Sequence, residues 1–305
     1  MSFASRLPRC HLIAFTLLSG FLVAADCRAE TKNIMKDATS VEVRVSSRPE
    51  RIITLVPSLG ELTADLLGEE LPRLIAVADQ TDYPPALAKL AKVGAYHRFN
   101  IEAVAGLKPD LVLASTDGNA KDQVLRLREL GVPVVVVETG DFNQIAQSMR
   151  LVARALGRPQ RGEEMAAQFM RGVESIRARA RSRKGTPPKV LLQVGSNPLV
   201  VAGPKSFLHE ALITVGAENI YADSSSRYPR PSLEDAVHRR PDVILVVSMG
   251  PSPVPARNSV ESWKAFPEIP AVKNGRLHLL LGDSLVRPTL RLLEGLSLLE
   301  KGISR

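Results

Sequence analysis

From Gln160 to Arg183 the chain reads QRGEEMAAQFMRGVESIRARARSR, with apolar residues at Met165, Phe169, Val173 and Ile176 in steps of four, four and three. That spacing predicts an α-helix carrying one narrow apolar stripe on an otherwise charged surface. About 24 residues at ~1.5 Å rise make a rod of roughly 36 Å, longer than a small lobe needs to cover its own sheet. The expectation is therefore a helix that spans two lobes rather than one built into a core. Gly157 and Pro159 stand before it, and Gly185, Pro187 and Pro188 after it, so turn residues isolate it on both sides. An ordinary amphipathic surface helix inside one domain is the alternative.

Both flanks of this helix alternate short β-branched runs with apolar-periodic segments. Before it come Arg51–Val56, Leu74–Val77, Leu111–Ala114 and the run Val134–Val137, which is valine throughout, as expected of a strand buried on both faces. Ser58 followed by Glu61 fits a capping box at the start of a helix over Leu59–Leu67. After it come Lys189–Val194, Leu199–Val201, Val243–Val247 and Leu277–Leu280, with helices expected over Phe207–Val215, around Trp263 and over Thr289–Lys301, and a Pro-rich loop at Pro251, Pro253 and Pro255. Strands alternating with helices over short loops predict α/β lobes with parallel-rich sheets. The domain boundaries read as 51–159 for an N-terminal lobe, 160–184 for the linking helix and 185–305 for a C-terminal lobe. Residues 30–50 form a polar leader or a first edge strand through Val41, Val43 and Val45.

The two halves share a repeat. Asn100-Ile-Glu-Ala-Val-Ala-Gly-Leu-Lys-Pro-Asp-Leu-Val-Leu113 and Ser232-Leu-Glu-Asp-Ala-Val-His-Arg-Arg-Pro-Asp-Val-Ile-Leu245 align without a gap. Each has a helix-capping residue, a glutamate two positions later, a short helix, Pro-Asp and a buried strand. Identical spacing in both halves indicates two lobes of one design. Glu102 and Glu234 fall in the first helical turn, where the helix dipole favours a carboxylate by roughly 0.3–1 kcal/mol.

The N-terminus departs from this pattern. Arg6 and Arg9 precede the apolar run Leu12–Ala25, followed by small and then polar residues, the form of a secretory signal peptide over residues 1–29. Cleavage fits after Ala25 or after Ala29. The apolar run is shorter than the roughly 20 residues a spanning helix needs, and Asp26 before Cys27 disfavours a lipoprotein site. Both cysteines, Cys10 and Cys27, lie in this segment, so no internal disulfide is expected in the mature chain. Removing residues 1–29 deletes Arg6, Arg9, Arg28 and Asp26 and lowers the formal charge of the 305-residue chain from +8 to +6. Much of that excess lies at Arg171, Arg177, Arg179, Arg181, Arg183 and Lys184, where a solvated helix face accounts for it better than nucleic acid does.

Catalytic patterns are weak. There is no G-x-S-x-G, no G-x-G-x-x-G, and no H-x-x-x-H among His11, His97, His209, His238 and His278. The four tyrosines, Tyr83, Tyr96, Tyr221 and Tyr228, all fall in loops. In open α/β sheets ligands bind beyond the carboxyl ends of the strands, so two such edges facing each other would form a tyrosine-lined cleft suited to a large flat ligand.

Arg51–Leu62, Thr81-Asp-Tyr-Pro-Pro85, Asn100-Ile-Glu with Leu107–Leu113, Gly118-Asn119, Gln193–Pro198 and Gly216–Ile220 together resemble the periplasmic cobalamin-binding proteins of ABC importers. They are similar more broadly to the helical-backbone (class III) substrate-binding proteins that also serve haem and iron-siderophores. The resemblance implies two Rossmann-like lobes joined by a single long α-helix, with the ligand between them and little hinge closure. It implies a non-enzymatic receptor in the periplasm, with no cofactor beyond the transported ligand and a dimeric inner-membrane permease as partner. Carried over by position, Tyr83, Tyr96 and Tyr228 present rings to the ligand, Tyr96 and Tyr228 standing where tryptophan is usual. His97, Ser115, Gly118, Asn119, Asp283 and Arg287 complete the expected ligand-binding set, with Ser115 where another tryptophan is expected and Val194 in place of an aromatic. Glu102 and Glu234 become permease-docking residues, one per lobe. A haem receptor using Tyr96 or His97, an iron-siderophore receptor, and an exported metal-dependent enzyme are the alternatives.

Overall fold

The computed structural model describes residues 32–248 and 252–304. The expected signal segment, with Cys10 and Cys27, and Pro251 of the Pro-rich loop lie outside the described residues. The chain opens with an antiparallel hairpin of Lys32–Lys36 (β1) and Glu42–Ser46 (β2) rather than a loose leader or a single edge strand. Asp37 at its tip explains why. One carboxylate oxygen accepts from the Thr39 and Val41 amides at 2.9 and 3.2 Å, and the other accepts from the Val136 amide at 3.0 Å and pairs with Arg128. The turn therefore caps the free edge of the neighbouring sheet, whose unpaired amides would otherwise be open to another strand.

That sheet belongs to the N-terminal lobe. Its elements are Ile52–Thr54 (β3), Pro57–Leu67 (α1), Leu74–Val77 (β4), Ala91–Lys92 (β5), the small ladder Gly94–Ala95 (β6) with Arg98–Phe99 (β7), Ile101–Gly106 (α2), Leu111–Ser115 (β8), Lys121–Glu129 (α3), Val134–Val137 (β9) and Phe142–Ala155 (α4). Strand order is β5-β4-β3-β8-β9, with every pair parallel. All four valines of β9 are buried. Pro159–Arg181 (α5) follows. The C-terminal lobe contains Lys189–Ser196 (β10), Leu199–Val201 (β11), Phe207–Thr214 (α6), Glu218–Asn219 (β12), Leu233–His238 (α7), Val243–Val247 (β13), Val254–Trp263 (α8), Pro270–Lys273 (α9), Leu277–Leu280 (β14) and Leu292–Ser304 (α10). Its order is β11-β10-β13-β14, with β12 also on β10; only β11 runs antiparallel. Helix α8 begins inside the expected Pro-rich loop, because Pro255 falls in its first turn, where a missing N–H costs nothing.

The repeat is built into both lobes. Asn100 and Ser232 cap α2 and α7 by accepting from the Ala103 and Asp235 amides at 2.8 and 3.1 Å. Lys108 and Arg240, at equivalent positions, both take positive φ, 46° and 48°. Asp110 accepts from the Arg51 amide at 2.8 Å and Asp242 from the Lys189 amide at 2.9 Å. Each Pro-Asp thus clamps the start of its lobe's first long strand.

Two expectations fail here. Ser58 does not cap α1: Pro57 occupies the first helical turn, Val56 is the capping position without a side-chain bond, and Glu61 is buried instead of reaching back. Helix α5 is also no exposed rod. Met165, Phe169, Val173 and Ile176 are all buried, and they sit in one continuous apolar core with Leu113 and Val135 of the first sheet and Leu192 and Leu245 of the second. A narrow stripe suffices because small residues bring the neighbours close. A Cβ on Gly162 would lie 2.3 Å from the Ala153 Cβ of α4, and one on Gly172 would lie 2.5 Å from Leu293 of α10.

Gly162→Ala is expected to cost about 1–3 kcal/mol through overpacking, a fall of several degrees in a thermal melt. Gly106→Ala, where nothing lies within 4 Å of the added methyl, is the matched control and should not lower the melting temperature. Equal melting of the two variants would contradict close α4–α5 packing.

Candidate functional site

The loops that follow the carboxyl ends of the strands in both lobes meet each other, and they carry nearly all the expected site residues. Tyr96 and His97 form the two-residue turn between β6 and β7, their rings edge to face at 5.3 Å. The turn after β8 supports them. The Asn119 amide donates to the Tyr96 carbonyl at 2.7 Å and the Leu55 carbonyl at 3.0 Å, while its oxygen accepts from the Ser115 amide at 2.9 Å. Gly118 lies against the Tyr96 ring: a Cβ there would be 3.5 Å from Tyr96 Cδ2 and 2.6 Å from Val56 Cγ1, so only glycine fits without displacing Val56. Ser115 is buried and its hydroxyl accepts from the Asp117 amide at 3.2 Å.

Both amide hydrogens of Asn119 and one acceptor position of its oxygen are bonded to the backbone at Leu55, Tyr96 and Ser115, and Ser115 itself is buried. Both act on the shape of the loop that presents Tyr96, which keeps 39% of its surface exposed.

Tyr83 stands in the loop after β4 with 43% of its surface exposed. Arg291 covers one face of its ring, with Cζ 3.7 Å from the ring centroid. Asp283 and Arg287, expected at the ligand, are bound first to each other: Arg287 Nε donates to Asp283 at 2.8 Å, and Asp283 also takes Arg291 at 3.0 Å. Burial works against ionisation of Asp283, yet Arg287 and Arg291 together hold its carboxyl below the usual value. Arg287 reaches the other lobe at the Gln80 carbonyl, 3.5 Å, and Asp82, 3.7 Å. The Gln80 side chain in turn accepts from the Tyr96 amide at 3.4 Å, joining the Tyr83 and Tyr96 loops.

Tyr228 is half-buried against the central apolar core, and burial, opposed by Arg227, raises its phenol above the ordinary value. Its neighbour Arg227 forms an ion pair with Asp117 of the other lobe, and Asp117 also accepts from the Thr139 hydroxyl at 2.7 Å. A Cβ on Gly140 would be 3.1 Å from Arg227 Nη2, so the lobes are in close contact there. Tyr221, by contrast, is not at the cleft. It is buried, with its hydroxyl donating to Asp235 of α7 at 2.9 Å and Arg239 over its ring at 4.5 Å.

Glu102 and Glu234 are exposed in the first turns of α2 and α7 and make no ion pair among the described residues. The Glu234 carboxyl is held below its usual value by a backbone hydrogen bond and Ser232. No group of three His, Cys, Asp or Glu side chains that could hold a metal occurs among the described residues. Sequence reasoning missed Glu61, Asp117, Arg227, Thr289 and Arg291. Their partners lie in the other lobe, and no local spacing signals such pairs.

The chain belongs to the periplasmic binding protein family, whose pattern matches residues 52–282. It is 34% identical over 196 residues to the vitamin B12-binding protein of Salmonella typhi, covering 64% of this chain and 71% of that one. Among solved structures it is similar to the periplasmic vitamin B12 binding protein BtuF of Vibrio cholerae, with TM-score 0.73, 28% identity, and 84% and 97% of the two chains covered. It is also similar to the periplasmic heme-binding protein RhuT of Roseiflexus sp. RS-1, with TM-score 0.73, 26% identity, and 83% and 97% covered. Two Rossmann-like lobes joined by one long helix are the fold these structures share with it.

Asn119→Ala should destabilise the ligand-free protein by about 1–3 kcal/mol, since buried groups are left unpaired, and should speed amide hydrogen exchange at Tyr96–Phe99. Unchanged stability and exchange would show that the Asn119 amide does not brace the Tyr96 turn.

Proposed function

We propose that this member of the periplasmic binding protein family is the periplasmic receptor of an ABC importer, and that it captures cobalamin or a related corrinoid between its lobes. The observation that carries this reading is that the loops bearing the tyrosines are joined at the strand ends: Gln80 of the Tyr83 loop accepts from the Tyr96 amide, and Arg227, next to Tyr228, pairs with Asp117 in the turn that supports Tyr96. A corrin is a broad, largely apolar plate with amide arms, and aromatic faces suit such a plate. Similarity to proteins named for vitamin B12 binding supports the same ligand. The role is capture and delivery without catalysis. The apolar N-terminal run supports export with removal of a signal peptide.

A haem receptor is the second reading. The exposed Tyr96 beside His97 favours it, because phenolate and imidazole both ligate haem iron, as does the structural similarity to a heme-binding protein.

Delivery requires docking on a permease. Glu102 and Glu234 sit at equivalent helix starts in two lobes of one design, exposed and without an ion-pair partner among the described residues. A two-fold permease dimer presents the same surface twice, so each lobe would meet one subunit through the same charge. Asp235, next to Glu234, is held by Tyr221 and Arg239, which keeps α7 in place against the lobe.

Isothermal titration of the mature protein with cyanocobalamin should give saturable one-to-one binding. Tyr96→Ala and Tyr228→Ala should each weaken it several-fold, about 1 kcal/mol per stacked ring; the apo melting temperature should change little for the exposed Tyr96 and fall for Tyr228, which packs on the core. No heat with cyanocobalamin, together with a tyrosine-ligated absorption spectrum on adding haemin, would overturn the corrinoid reading in favour of haem.

The double substitution Glu102→Ala with Glu234→Ala should leave ligand affinity intact and sharply reduce association with the cognate permease, most strongly at low salt. Full transport by the double variant would refute the docking role and leave both glutamates as helix-start charges.

A further inference from the structure

Tyr83 belongs to the N-terminal lobe, yet the group that covers one face of its ring comes from the C-terminal end of the chain. The Arg291 guanidinium lies 3.7 Å from the ring centroid. Its own plane is fixed at both ends. Nη1 donates to Glu61 of α1 at 2.7 Å, and Nη2 donates to Asp283 at 3.0 Å. The second oxygen of Glu61 accepts from the Thr289 hydroxyl, and the second oxygen of Asp283 accepts from Arg287, which reaches back to the Tyr83 loop at the Gln80 carbonyl. Glu61 is only 1% exposed, so bulk solvent does not stand in for these partners.

The consequence is geometric. A planar guanidinium held by one carboxylate from each lobe offers a flat surface of defined orientation, and an aromatic ring stacked on that surface inherits the orientation. With Arg291 over one face of its ring, Tyr83 still keeps 43% of its surface exposed. Lysine in place of Arg291 would supply the charge but neither the plane nor the second arm.

We propose that Arg291 is a positioning residue for ligand binding, setting the plane of Tyr83 from the opposite lobe so that the other ring face is presented to the ligand only while the Glu61–Arg291–Asp283 bridge holds the lobes together. The ligand-affinity part of this proposal rests on the corrinoid reading above; the part concerning the Tyr83 loop does not.

Two measurements test it. In the ligand-free protein, Arg291→Lys should raise amide hydrogen exchange across Asp79–Tyr83 at least tenfold while β8 and β13 keep their protection. Unchanged exchange in that loop overturns the proposal whatever the ligand is. In titrations with cyanocobalamin, Arg291→Lys should weaken binding about five- to tenfold in the wild-type background and not at all in a Tyr83→Leu background. An equal loss in both backgrounds, or none in either, means that Arg291 does not act through Tyr83. If Arg291→Lys fails to fold, the paired Glu61→Gln/Arg291→Met variant removes both charges together and takes its place, with the same outcomes. Failure of the wild-type protein to bind cyanocobalamin would count against the corrinoid reading alone, and the exchange measurement would then decide.

Discussion

A carboxylate with 1% of its surface exposed needs a partner, and the partners of Glu61 lie in the other lobe. Separating the lobes would strip Glu61 of Arg291 and Thr289, and breaking a buried pair by removing one side typically costs about 3–5 kcal/mol. Further polar contacts cross the same boundary, besides the reach of Arg287 to Gln80 and Asp82. Asp117 pairs with Arg227, and Glu210 of α6 accepts from the Phe142 amide at the start of α4 at 2.6 Å, where the helix dipole favours a negative charge. Beneath them runs the apolar core through Phe169 and Val173 of α5, shared by both sheets. The lobes are thus fastened at the core by burial and at the cleft by charge, an arrangement suited to a receptor that changes little on binding.

The same polar groups organise the site. Asn119 ties the Tyr96 turn to the ends of β3 and β8, Gln80 ties the Tyr96 turn to the Tyr83 loop, and Arg287 ties that loop to the C-terminal lobe. Several residues expected to touch the ligand, Asn119, Asp283 and Arg287 among them, take part in this lacing. Asp283 holds Arg287 and Arg291, and Asn119 holds the Tyr96 turn.

Much of the fold was legible in the sequence because its determinants are local or periodic. The stripe at Met165, Phe169, Val173 and Ile176 marked the long helix, the valines of β9 marked a strand buried on both faces, and the gapless repeat marked paired helix-to-strand joints whose caps, positive-φ residues and Pro-Asp clamps all recur in the structure. Reading that narrow stripe as evidence against core burial was wrong, because the glycines at 162 and 172 let α4 and α10 close over it. The Ser58–Glu61 spacing fitted a cap, but Pro57 starts the helix two residues earlier than expected and leaves Glu61 free to face the other lobe. Arg291 and Glu61 are far apart in sequence, and no periodicity announces such a contact. The resemblance drew attention to the tyrosine loops; it did not show that Tyr221 turns inward to brace α7.

The account stands on a ligand held between tyrosines of both lobes while the interlobe bridge stays intact. A crystal structure of the protein grown with cyanocobalamin tests this most directly. The account predicts a corrin between the Tyr83 and Tyr96 loops and Tyr228, with Glu61 still bound to Arg291 and the lobes in their present arrangement. A corrin bound elsewhere, or one seated only after the Glu61–Arg291 pair has opened, would contradict it.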